Sequence, residues 1–116
     1  MKKPVLFVLA ACIGLFTACS KKNTAGNNTQ ASPTNYVTDI VPLIQAKCSP
    51  CHIPSKGGRK TNFEHYEGVK RYSDDILARV ELNTTDRGFM PFKNEKLSSA
   101  EIVVIKKWID QGLLEK

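Results

Sequence analysis

From Tyr36 onward apolar residues recur at helical spacing: Val37, Ile40, Val41 and Ile44. The spacing predicts a helix over about 38–48. Thr38 or Asp39 would cap it and Pro42 would lie in its first turn, where a missing N–H does little harm. IPSKGGRK, residues 53–60, reads as a loop from its Pro and Gly content. Residues 63–70 read as a short helix. Ser73, Asp74 and Asp75 form a second helix start, with Ile76, Leu77 and Val80 inward. NTTDRGFMPFKNEK, residues 83–96, has no period and contains Gly and Pro, so it is a loop. Ser98 and Glu101 form a capping box ahead of Ile102, Val103, Ile105, Trp108 and Ile109, and Gly112 ends that last helix. Neither a strand alternation nor an internal repeat is visible. The pattern is all-α, with the N-terminal and C-terminal helices packed on each other.

The first 35 residues follow another pattern. MKK is a cationic start, PVLFVLAACIGLF is a short apolar run, and FTAC at 16–19 passes directly into polar sequence. This is the layout of a signal peptide over 1–18. The small residues before Cys19 resemble a bacterial lipoprotein signal, in which that cysteine is lipidated and becomes the new N-terminus. Such signals usually have Leu three residues before the cysteine, whereas Phe16 stands there and Leu15 one earlier. A plain cleaved signal and an uncleaved anchor helix are the alternatives, and all three export the domain. SKKNTAGNNTQASPTN, residues 20–35, lacks the apolar surface to offset chain entropy and reads as a disordered part of a 19–35 tether. At roughly 5–6 Å × √n it reaches about 20–24 Å. The reading places the domain, residues 36–116, lipid-anchored on the periplasmic side of a bacterial membrane.

Formal charge is +6, yet residues 35–116 hold 13 Lys and Arg against 11 Asp and Glu, a net +2. With no dense basic block and no aromatic–basic stripe, nucleic acid is not an expected partner. The domain is small for a core of its own, and small exported domains usually add disulfides or a bound group. Attention therefore falls on AKCSPCHIP, residues 46–54, where Cys48, Cys51 and His52 cluster.

Four chemistries compete for these residues. A disulfide between positions i and i+3 closes a strained loop that staples little. A thiol redox pair wants a low-pKa cysteine at a helix N-terminus, whereas this pair ends a helix. Zinc wants four ligands, and Cys48, Cys51, His52 and His65 are the only candidates. Covalent haem fits every residue: both thiols add to porphyrin vinyl groups, and a helical turn carries His52 under the iron. Cys12 then leaves with the signal, Cys19 takes lipid, and no free thiol remains.

The second axial position decides what such an iron does. Met90, in RGFMPF, would be the single methionine of the mature chain. A thioether suits haem iron, and a Met/His pair raises its potential. Gly88 and Pro91 shape the turn, and Phe89 and Phe92 are placed to cover the haem edge. His65, beside Glu64 and Glu67, is the competitor and reads as a solvated surface residue.

YVTDIVPLIQAKCSPCH, the loop MPF and LSSAEIVVIKKWIDQGLLE together resemble the small monohaem class I cytochromes c. The likeness spans about residues 36–116, and its specific part is the pairing of CxxCH with Met-Pro. It implies a cytochrome c fold, three to four helices around one covalently bound haem c, and electron transfer rather than catalysis. Carried over, Cys48 and Cys51 bear the thioethers, His52 is the proximal iron ligand and Met90 the distal one. The His-to-Met separation is short for the family. Members also set a backbone carbonyl against the proximal histidine's other nitrogen, and Pro54 is a candidate for it. The function expected is a membrane-tethered carrier of single electrons between redox proteins, a quinol-oxidising complex on one side and a terminal oxidase or reductase on the other. Lys56, Arg59, Lys60 and Lys93 would steer an acidic partner. A small haem enzyme or gas sensor is the alternative and requires an open or displaceable sixth ligand. A third reading, a binding module with a structural metal, lacks ligands.

Overall fold

Asn35 opens the first helix of the computed structural model, which describes residues 32–116. The signal peptide, Cys19 and most of the tether lie outside the described residues. Helix α1 spans 36–48 and is built from a π-helical turn Tyr36–Ile40, an α-helical segment Val41–Leu43 and a second π-helical turn Ile44–Cys48. The cap is Asn35, whose side chain accepts from Thr38 N–H at 3.0 Å. Asp39 Oδ2 accepts from Asn35 N–H at 2.9 Å, so Asp39 supports the cap from inside the first turn. The helix thus begins before Thr38, and Pro42 sits mid-helix rather than in its first turn. A proline ring presses on the carbonyl four residues back and supplies no N–H. The widened turn before it, in which Val41 N–H reaches back five residues to the Tyr36 carbonyl, makes room. Wider turns also keep positions four apart in line. Tyr36, Ile40 and Ile44 are the buried residues of α1, and Cys48 is next in that row. Val37, expected inside, is 48% exposed.

Helix α2, Tyr66–Arg71, starts later than its sequence suggests and stops at Tyr72. Helix α3, Ser73–Glu81, follows at once. Ser73 is its first residue and is buried; it is not a side-chain cap. Ile76 and Val80 are buried and Leu77 is packed against them. Helix α4, Ser99–Asp110, has both halves of its capping box: Glu101 N–H to Ser98 Oγ at 3.3 Å and Ser98 N–H to Glu101 Oε2 at 2.7 Å. Gly112 follows in the left-handed region with φ +90°. Ile105 and Trp108 are buried, and α4 packs on α3 and on the first turn of α1. The described residues are helical with no strand, as the pattern requires.

The C-terminal segment returns to the start of α1. The Leu114 carbonyl accepts twice, from Tyr36 N–H and from Trp108 Nε1, both at 2.8 Å. Val37 N–H reaches the Glu115 carbonyl at 3.2 Å, and Tyr66 Oη donates to the Leu113 carbonyl at 2.7 Å. Beneath this clasp the Tyr36 ring lies 5.3 Å from that of Tyr66 and 6.1 Å from that of Trp108. Thr34 N–H bonds Gln111 Oε1 at 2.7 Å, so contacts with the domain begin two residues before Tyr36. None of the described helices is long and apolar enough to cross a membrane.

Candidate cofactor site

Helix α1 ends at Cys48, because Ser49 is extended (φ −76°, ψ 153°). The helix therefore does not run on to His52. Instead a turn folds His52 back: its N–H donates to the Cys48 carbonyl at 3.0 Å, and Ile53 N–H donates to that of Pro50 at 3.0 Å. The loop after the motif, which contains a 3₁₀ turn Pro54–Lys56, then returns alongside it. Lys60 N–H meets the Cys51 carbonyl at 3.0 Å and Phe63 N–H meets that of His52 at 2.9 Å. Gly58 lies where this return is tightest. A Cβ there would strike the Pro50 carbonyl oxygen and stand 2.6 Å from that of Cys51.

The His52 ring is held twice. Nδ1 lies 2.8 Å from the Thr61 carbonyl oxygen, and Phe63 stacks on the ring at 4.4 Å and 5°. A carbonyl only accepts, so Nδ1 carries the hydrogen and Nε2 is the nitrogen left to bind a metal. The partner is thus Thr61 and not Pro54, which sits in the 3₁₀ turn.

Neither Cys48 nor Cys51 is in a disulfide. Burial pushes the Cys48 thiol up to about 11, the opposite of what a nucleophilic redox thiol needs. Among the described residues no three His, Cys, Asp or Glu side chains form a cage for a metal ion. His65 is exposed at the start of α2. The donor set that remains is two unpaired thiols and one oriented imidazole. That set fits a haem, which would take the two cysteines as thioethers and a single histidine at its iron.

Met90 is half-buried in the loop between α3 and α4. Its N–H donates to the Arg79 carbonyl at 3.2 Å, and Arg79 Nη1 donates to the Gly88 carbonyl at 3.3 Å. Gly88 takes φ +96°, in the left-handed region that favours glycine. Pro91 is buried, while Phe92 points outward and is 79% exposed. On its far side the loop is tied to the motif: Asn94 Nδ2 donates to the carbonyls of Lys47 at 2.7 Å and Ser49 at 2.9 Å. Lys47 Nζ also lies 3.7 Å from Glu95 and 3.5 Å from Glu101.

Neither a family model, nor a curated protein, nor a solved structure matches this chain. The likeness to class I cytochromes c is one of motif and order. Sequence reasoning named Cys48, Cys51, His52 and Met90 but missed Gly58, Thr61, Phe63 and Asn94, which hold them. Only Gly58 carried a signal, as half of a Gly-Gly pair.

Proposed function

We propose that this domain is an electron carrier of the class I cytochrome c type. Cys48 and Cys51 join one haem c through thioethers, His52 is the proximal iron ligand and Met90 the distal one. The observation that carries this reading is the His52 ring, held at Nδ1 by Thr61 and on its face by Phe63. A hydrogen bond to the ring nitrogen that does not bind the metal sets the tautomer and orientation of a metal-binding imidazole. When bound, the haem supplies reversible one-electron exchange at its iron. The protein's part is to keep the ligands still. Thr61 and Phe63 prevent the imidazole from turning, and the Arg79 bonds hold the Met90 loop. Lys56, Arg59, Lys60 and Lys93 are exposed on the two loops and favour an acidic redox partner. Export, lipidation at Cys19 and a tether to a membrane surface complete the proposal, with a quinol-oxidising complex and a terminal oxidase or reductase as partner classes.

Absorption spectra of the purified protein in both redox states test it. A c-type spectrum is expected, with the weak far-red band of methionine-ligated ferric haem. A Met90→Ala variant with unchanged spectrum and potential would remove Met90 from the iron. Covalent haem retained in a Cys48→Ala, Cys51→Ala double variant would overturn the whole reading.

A further inference from the structure

Helix α1 leaves its last carbonyls without intrahelical partners, as every helix does. The Cys48 carbonyl is taken by His52 N–H, within the motif. Those of Lys47 and Ser49, on either side of Cys48, are taken by one side chain from 45 residues or more away, Asn94 Nδ2. Asn94 stands four residues after Met90. One amide therefore joins the helix end that bears Cys48 to the loop that bears Met90.

We propose that Asn94 is the positioning residue for the distal ligand, a reading that rests on the haem assignment above. Met90 is anchored on one side by the Arg79 carbonyl and on the other by this clamp. With both in place, moving the Met90 loop as a whole away from the motif breaks the two Asn94 bonds. Asn94 thus sets how often the sixth position opens to a foreign ligand. The bonds run to backbone carbonyls, so the Lys47 side chain is not needed for them. Its pair with the loop ends on Glu95, whose side chain is 90% exposed, and a surface pair of that kind adds little to the hold on Met90.

Imidazole binding to the ferric protein reads this opening, because apparent affinity scales with the open fraction. Asn94→Asp keeps the shape but replaces the donor with a carboxylate facing two carbonyl oxygens. It is expected to retain covalent haem and to bind imidazole roughly tenfold more tightly, the effect of losing the two bonds. Faster amide hydrogen exchange over residues 88–94 accompanies it. Asn94→Ala, in which water replaces the amide, is expected to move the same way by about threefold and serves if the aspartate variant does not accumulate. Lys47→Met is expected to leave imidazole affinity unchanged. Unaltered imidazole affinity in the Asn94 variants, with normal haem content, overturns the role of Asn94 and leaves the haem reading standing. An equal shift in Lys47→Met overturns it too, as general softening. A wild-type protein without haem overturns both.

Discussion

The first turn of α1 sits among buried rings, while its last turn sits among loops. At the start, Tyr36 is packed with Tyr66 and Trp108 and sealed by backbone bonds to Leu114 and Glu115. At the end, Cys48, Cys51 and His52 are held by carbonyls, a glycine and one amide, with several of the surrounding side chains exposed. Apolar burial gives cooperative stability without direction. Hydrogen-bonded turns give position with little stability each. The fold rests on the first, and the site is placed by the second.

Trp108→Ala should have the largest effect, about 3–5 kcal/mol of global stability, read by thermal unfolding. It removes the most buried ring and the bond to Leu114. A small loss there would break the contrast.

The Cys48 thiol sharpens it at the other end. Raised from 9.0 to about 11 by burial, its thiolate in a haem-free chain is about a hundredfold scarcer at pH 8 than that of an ordinary cysteine. Iodoacetamide should therefore label exposed Cys51 well before Cys48. In that haem-free chain the folded form keeps the proton, so the Cys48 contribution to stability is complete below pH 9 and is lost as pH rises through about 11. Cys48→Ala should flatten that slope.

Gly58→Ala should cost about 1–3 kcal/mol through the clash with the Pro50 and Cys51 carbonyls. The damage should be local: faster amide exchange over 51–63 with the helices intact by circular dichroism. A cooperative collapse matching Trp108→Ala would erase the distinction between the two ends. Ser98→Ala, at the cap whose Glu101 faces Lys47, should cost only about 1 kcal/mol by thermal unfolding, the ordinary value of a helix cap.

The same division separates what the sequence makes legible from what it hides. Ile40, Ile44, Ile105 and Trp108 are marked by period and type, and the Ser98–Glu101 box by spacing; all are found as expected. The motif residues are marked by their scarcity. Thr61 is hidden because the group it contributes is a carbonyl, which every residue has; the family resemblance offered Pro54 instead. Asn94 is hidden because an asparagine in a polar loop looks like any other, and its partners lie 45 and 47 residues away. Val37 was misplaced for a different reason: the π-helical turns around Pro42 change the phase of α1, so an ideal helical period assigns it inward.

The pairing of Tyr36 and Val37 with Leu114 and Glu115 has a topological consequence. Both ends of the domain leave from one place, beside the start of α1, and Cys48 lies a helix length away, roughly 15–18 Å. The domain is in effect a closed ring with the Cys48–His52 turn opposite the join. Its ends can be linked and the chain reopened in the exposed stretch 83–87, or the whole inserted into a loop of a host protein, with the Cys48–His52 turn still pointing away from the join.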